Sequence, residues 1–324
     1  MKSHDKPTSI PYPYLTTCKP PSTAVVGVGR CRIESKASEE FESIVAQNVE
    51  RASAEKLEKT SENKKLCKKL MKKCVAECYS WLKTIADVSV IDVEVCVQSK
   101  HVLGTEGFII QCLLDAGADS VVLCNDNKDT TLMDALECAR VPRERIVAHF
   151  DSPKVEEDSV KAASALAGAV SFSMSANEIE KLGSINIFNK LENTRIVALL
   201  STSDYELGKL TEIVATLSNM DIGTTLVNPT PEQLGLSFAA CAKTDRPDGL
   251  YTTVVCTRSG EALGLVYSSK ESIAAALDCG RGVYYSRSRN GLWRKGDTSG
   301  HYQVRFAPYS LLVSWFTESH KQCL

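Results

Sequence analysis

The chain has no apolar run approaching the ~20 residues that a membrane-crossing helix needs. The stretch Met1 to Tyr14 holds Pro7, Pro11 and Pro13 without a continuous apolar core, so it does not read as a secretory leader. Charge of one sign is lacking too. Against 38 Lys and Arg stand 40 Asp and Glu, a net charge of -2 that gives no general pull toward nucleic acid or a membrane surface. A cytoplasmic chain with neither of those partners is therefore expected. The 13 cysteines include no CxxC pair. In a reducing compartment they stay thiols. Their closest group, Cys67, Cys74 and Cys78, has helical spacing and reads as small apolar helix residues, with a metal role as the lesser alternative.

What is present is an ordinary globular composition, 43% hydrophobic and 24% charged over 324 residues, enough for one large or two modest domains. Residues 1–34 read as irregular. Pro20 and Pro21 break any helix, and the GVGR stretch lacks the third glycine and the following helix of a dinucleotide fingerprint. Residues 35–86 read as helical. Leu66, Leu70, Cys74 and Cys78 recur every four residues, and Trp81 and Leu82 extend the stripe. Lys64, Lys65, Lys68, Lys69, Lys72 and Lys73 surround those positions. Glu55, Glu58 and Glu62 offset them, which favours a solvated face over a surface for a membrane or an acidic partner.

Residues 87–240 alternate short apolar runs with helical patterns. Val88 to Val97, Ser120 to Leu123, Arg145 to Phe150, Arg195 to Leu200 and Thr225 to Val227 read as strands. Gly107 to Leu114, Leu132 to Ala139 and Leu207 to Leu217 read as helices. This alternation predicts a parallel sheet with covering helices. The stretch 87–230 shows no Gly-rich phosphate loop and no His/Cys/Asp constellation, so a scaffold or assembly role is its expected one.

From Asp245 the pattern changes. A turn at Asp245 to Gly249 precedes strands at Leu250 to Thr257 and Ala262 to Tyr267. A helix follows at Ser272 to Cys279, capped by Ser268 or Ser269 and closed by Gly280, and then a strand at Val283 to Ser286. The stretch Arg287 to Gly300 reads as one polar, basic loop. Arg287, Arg289, Arg294 and Lys295 suit an anionic ligand, with arginine forks able to grip phosphate. Gly296 and Gly300 admit close backbone approach, Thr298 and Ser299 add hydroxyls, and Trp293 and Tyr285 offer rings for a base. Composition alone leaves open a solvated basic loop beside a core tryptophan.

The run GLVYSSKESIAAALDCGRGVYYSRSRNGLWRKGDTSG resembles the phosphoribosyl-AMP cyclohydrolase family, whose hallmark is a helix, then YxSRSR, then LWxKGxTSG. Here these are Tyr284 to Arg289 and Leu292 to Gly300. The likeness is nearly continuous from Asp245 to Gln303, and the wording DRPDGLYTTVV and LGLVYSS is similar to the fungal-type multifunctional histidine-biosynthesis branch. The resemblance implies a partial α+β cyclohydrolase domain at 241–303 and hydrolytic opening of the adenine ring of phosphoribosyl-AMP at the N1–C6 bond. It also implies a small phosphoribosyl nucleotide as ligand and a homodimer. Substrate binding would fall to Arg287, Ser288, Arg289, Trp293, Lys295, Gly296, Thr298, Ser299 and Gly300.

Zinc, held by cysteines, and magnesium, held by an aspartate cluster, are expected for the family, from a segment after the TSG motif. This sequence departs from the pattern after Gln303. The tail Val304 to Leu324 contains no Asp and offers only Glu318, His320 and Cys323. The metal ligands are not found, and catalytic residues are left unassigned. The expectation is a C-terminally truncated multifunctional protein with impaired activity and a divergent tail at 304–324. A non-catalytic nucleotide- or phosphate-binding protein, or a scaffold, is the alternative. The expected fold class is α/β, with a helical N-terminal region, a parallel-sheet α/β middle domain and the partial α+β domain.

Overall fold

The computed structural model describes residues 13–16, 30–33, 76, 80, 82, 92–104, 107–124, 129–180, 191, 194–242, 244–256, 262–279, 281–297, 299–300 and 313–315. The helices expected over 35–86, with their lysine run, lie outside those residues except at three points. Ala76, Ser80 and Leu82 are helical; the first two are exposed and Leu82 is buried. Gly280, Thr298, His320 and Cys323 also lie outside.

Internal contacts divide the chain into two compact units. The first comprises Met1–Ser9, Thr16–Lys19 and Arg30–Leu200; the second comprises Ile10–Leu15, Pro20–Gly29 and Ser201–Leu324. A short strand, β1, covers Pro13–Thr16.

Unit 1 is built on a parallel sheet. Its strands are β2 (Arg30–Ile33), β3 (Asp92–Gln98), β4 (Ser120–Cys124), β5 (Ile146–Phe150), β6 (Ala169–Ser173) and β7 (Arg195–Ser201), each paired in parallel with the next in sequence. The intervening helices are α1 (Ser99–Gly104), α2 (Phe108–Asp115), α3 (Asp129–Cys138), α4 (Glu157–Leu166) and α5 (Ala176–Glu180). This is the α/β arrangement the sequence predicts. Every residue of β5 is buried, as is every residue of β4 up to Leu123, which is why these strands are continuous apolar runs rather than alternating ones. Helix α2 buries Ile109, Ile110, Cys112 and Leu113. It begins at Gly107, held at φ 79, where a Cβ would stand 2.4 Å from the Cys138 carbonyl oxygen. Only glycine fits both the backbone angle and the approach.

Unit 2 carries α6 (Leu207–Asn219), β8 (Gly223–Val227) and α7 (Pro231–Cys241), then β9 (Tyr251–Cys256), β10 (Ala262–Ser268), α8 (Lys270–Cys279), β11 (Val283–Ser286), β12 (Gly291–Arg294) and β13 (Val313–Trp315). Thr230 and Gln233 close a reciprocal cap at the start of α7, with Pro231 in its first turn. Ser269 and Ser272 do the same for α8: each side-chain oxygen accepts from the other's backbone N–H, at 3.2 and 2.9 Å.

The sheet order is β10–β9–β13, all antiparallel. Within the stretch expected as a divergent tail, Val313, Ser314 and Trp315 pair with Val255, Val254 and Thr253 of β9. The stretch expected as a single loop from Arg287 contains β12, because Gly291 to Arg294 finds its ladder partner in β11.

Helices α7 and α8 approach closely at Gly235, where a Cβ would come within 2.4 Å of the Ala274 Cα. The Tyr251 hydroxyl donates to the Ala239 carbonyl at 3.0 Å, tying β9 to α7. Gly235→Val is expected to destabilise unit 2 by about 1–3 kcal/mol through overpacking. A denaturant midpoint equal to the parent's would show that the helices separate at no cost.

Candidate functional site

The residues expected to bind substrate sit on one antiparallel hairpin. Val283 faces Arg294, Tyr284 faces Trp293, Tyr285 faces Leu292 and Ser286 faces Gly291. The turn is Arg287-Ser288-Arg289-Asn290. It closes with the Asn290 N–H donating to the Arg287 carbonyl at 3.4 Å and with Asn290 at φ 48, a conformation asparagine tolerates. The Tyr285 hydroxyl donates to the Asn290 side chain, and the Ser286 and Ser288 hydroxyls lie 3.3 Å apart. Arg287, Ser288 and Arg289 are thus presented together, all exposed.

At the other end, the Lys295 N–H donates to the Gly282 carbonyl at 2.9 Å. Lys295 carries its ammonium 5.1 Å from the centre of the Trp293 ring. That ring is half-buried and tilted against Tyr284 at 6.0 Å. Gly296, at φ 101, and Gly300, at φ 69, bracket the next turn, where the Gly300 N–H donates to the Gly296 carbonyl at 2.8 Å. Ser299 is exposed; Thr298 lies outside the described residues. The four-pair ladder holds the Arg287 end and the Lys295 end roughly 10 Å apart. The basic residues are therefore two groups, not one patch, and the aromatic residues Tyr284, Tyr285 and Trp293 lie between them.

Sequence reading missed the support behind Arg287. Its guanidinium stands 4.1 Å from the centre of the Tyr267 ring on β10, and the Arg246 guanidinium stands 4.6 Å from the same ring. Arg246 is neutralised. It grips Asp248 with both ends of its fork, Nε to Oδ1 at 2.9 Å and Nη2 to Oδ2 at 2.6 Å. That hydrogen bonding holds the Asp248 carboxyl below its usual range. Arg287 has no ion pair among the described residues, so its charge stays available. The signal in the sequence was Arg246-Pro247-Asp248, read there only as turn punctuation.

A second polar assembly lies inside unit 1, where no constellation was expected. Arg32 donates from Nε to Glu94 Oε2 at 3.1 Å and from Nη1 to Ser171 Oγ at 3.0 Å. Ser120 Oγ donates to Glu94 Oε1 at 3.3 Å, and Arg195 Nη2 reaches the same oxygen at 3.5 Å. His149 Nδ1 lies 3.2 Å from Ser171 Oγ, and its Nε2 lies 3.3 Å from Ser173 Oγ. Burial opposes the charge of Arg32, but Glu94 outweighs it and leaves the guanidinium pKa raised. Burial, and then the nearby Arg32, push His149 down to about 3. Contact with Cys124, and then burial, lift the Cys96 thiol well above its usual value. A neutral imidazole, a protonated thiol and a paired carboxylate suit structure better than base or nucleophile chemistry.

Among the described residues, no three His, Cys, Asp or Glu side chains come together in a way that fits zinc or magnesium. No helix among them is long and apolar enough to cross a membrane.

Known proteins bear on the hairpin. The sequence profile of the phosphoribosyl-AMP cyclohydrolase family matches residues 264–306. The histidine biosynthesis trifunctional protein of Saccharomyces cerevisiae is 69% identical over 61 residues, 19% of this chain and 8% of that protein. The phosphoribosyl-AMP cyclohydrolase of Granulibacter bethesdensis is 50% identical over 57 residues, 17% of this chain and 44% of that one. The matched stretch spans under a tenth of the length of the Saccharomyces trifunctional proteins. A chain of tryptophan synthase from M. tuberculosis aligns at 10% identity over 70% of this chain and 84% of that one, with a TM-score of 0.34, a likeness too low to bear on function. Residues 264–306 are accordingly a phosphoribosyl-AMP cyclohydrolase segment, similar to the matching stretch of fungal histidine biosynthesis trifunctional proteins.

Proposed function

We propose that the hairpin of unit 2 binds a phosphoribosyl nucleotide, and that the reaction it serves is the hydrolytic opening of the adenine ring of phosphoribosyl-AMP in histidine biosynthesis. The observation that carries this is Arg287: an exposed guanidinium with no ion pair among the described residues, inside the family's own motif. Arg287 and Arg289 at the turn take a phosphate with charge-assisted, fork-like hydrogen bonds. Lys295 and the Gly296–Gly300 turn offer a second anionic contact roughly a hairpin's length away. Trp293, between them, presents a face on which a purine stacks, while Tyr285, paired with Leu292, lies on the opposite face of the hairpin. A nucleotide with phosphates at two ends and a base in the middle matches that spacing.

Water attack on the ring requires an activated water. Bound metal supplies it by lowering the water pKa from ~15.7 toward ~7. The described residues do not fit zinc or magnesium, and the tail outside them offers only Glu318, His320 and Cys323. Ring opening by this chain is therefore expected to be impaired, while binding persists.

The test is calorimetric titration with phosphoribosyl-AMP beside a turnover assay containing zinc and magnesium. Binding is expected, with turnover at least ~10²-fold below that of a complete relative, since disturbing even the outer shell of a metal site costs up to about that much. Turnover equal to the relative's would refute the impairment. No heat of binding would refute the nucleotide reading itself.

A further inference from the structure

We propose that Tyr267 is a positioning residue: its ring holds the Arg287 guanidinium in place for the phosphate, and the Arg246–Asp248 pair braces that ring. This rests on the nucleotide reading above. Arg287 sits at a four-residue turn and is exposed, so an unsupported side chain there would sample many rotamers and lose that freedom on binding. The Tyr267 face, 4.1 Å from the guanidinium carbon, removes much of that loss in advance by attraction between cation and ring.

Tyr267 is itself constrained. It is half-buried, and β10 is locked to β9 by the pairing of Tyr267 with Thr252 and of Ser268 with Tyr251. The buried Ser268 hydroxyl next to it accepts from Thr253 at 2.8 Å. A second guanidinium over the same ring would repel Arg287 if it carried free charge. Asp248 cancels that charge through both oxygens, so Arg246 contributes contact without competing for the ligand. Tyr267 on β10 and the Arg246–Asp248 pair in the turn before β9 therefore leave Arg287 pre-placed and, among the described residues, without an ion pair.

The experiment is a double-substitution cycle on the full chain, read as the dissociation constant for phosphoribosyl-AMP. Tyr267→Leu is expected to weaken binding roughly 3–5-fold, the scale of an exposed cation–ring contact. Tyr267→Phe, which keeps the ring and drops the hydroxyl, is expected to bind like the parent. Arg287→Ala is expected to weaken binding more strongly. Tyr267→Leu combined with Arg287→Ala is expected to be no weaker than Arg287→Ala alone, because the ring acts only through the arginine. Full additivity in the cycle, or a Tyr267→Phe variant as weak as Tyr267→Leu, overturns the positioning role while leaving nucleotide binding intact. A parent chain that does not bind at all overturns the nucleotide reading and this inference with it.

Discussion

Glu94→Leu is expected to cost unit 1 about 3–5 kcal/mol of stability, the scale for stranding one partner of a buried ion pair. The Arg32 and Glu94 side chains are 2% and 1% exposed and meet at 3.1 Å. They are direct register partners on β2 and β3, so the sheet itself sets their geometry. Without the carboxylate, the Arg32 guanidinium stays buried with, among the described residues, only the Ser171 hydroxyl to answer it, and its Nη2 already has no hydrogen-bond partner among them. Ser120 loses its acceptor, and Arg195 loses the oxygen it reaches at 3.5 Å.

Removing both charges together should behave differently. Arg32→Met with Glu94→Leu is expected to recover most of the loss, because an apolar pair of similar volume often equals a buried salt bridge in stability. Urea midpoints read the total, and hydrogen exchange over β3 to β6 assigns the loss to unit 1. A Glu94→Leu chain with parental protection in those strands would mean that water reaches Arg32 and the pair is not sealed.

That ion pair also shows where sequence reading stopped. Strands β4, β5 and β7 were legible because each is a short apolar run between turn signals. Strand β2 was not: its sequence Arg-Cys-Arg-Ile carries two charges in four residues. Nothing local says that Arg32 is buried, since its partner lies 62 residues away. His149 and Ser171 were invisible for the same reason. Each is a lone polar residue in an apolar strand, and only the side-by-side pairing of β5 and β6 joins them.

Other signals were present but unread. Thr230-Pro231-Glu232-Gln233 spells out the cap of α7. In unit 2 the motif named the turn residues, because SRSR and LWRKG are contiguous. Tyr267 and Arg246 come from other elements, and the meeting of Arg287 and Arg246 over the Tyr267 ring follows from how β10 and the Asp248 turn lie against the hairpin, which no spacing in the sequence encodes. Strand β12 was hidden in a run of Gly, Arg and Lys that looks like loop until Tyr284 and Tyr285 supply a ladder for it.

Acid should weaken unit 1 earlier than its carboxylates alone would. His149 is 7% exposed. Burial, reinforced by Arg32, depresses its pKa to about 3, against about 6.5 for an unfolded histidine. The sign follows directly. Above pH ~6.5 both states hold a neutral imidazole and nothing is lost. Between ~6.5 and ~3 the unfolded chain takes up a proton that the folded chain refuses, so stability falls by about 1.4 kcal/mol per pH unit. From pH 6.5 to 4 that amounts to about 3 kcal/mol.

The groups facing the ring support the direction. Ser171 and Ser173 satisfy both nitrogens without charge, and Arg32 opposes protonation. Asp151, 3.7 Å from Nε2, is 66% exposed, and water screens most of its attraction. His149→Gln keeps a donor and an acceptor without the titration. Its stability between pH 6 and 4 is expected to fall less steeply than the parent's, by close to one proton in the linkage slope. Parallel slopes for parent and variant, in urea unfolding followed by exchange at β5 and β6, would place a charged imidazole in the folded interior and contradict the sealed Arg32–Glu94 arrangement beside it.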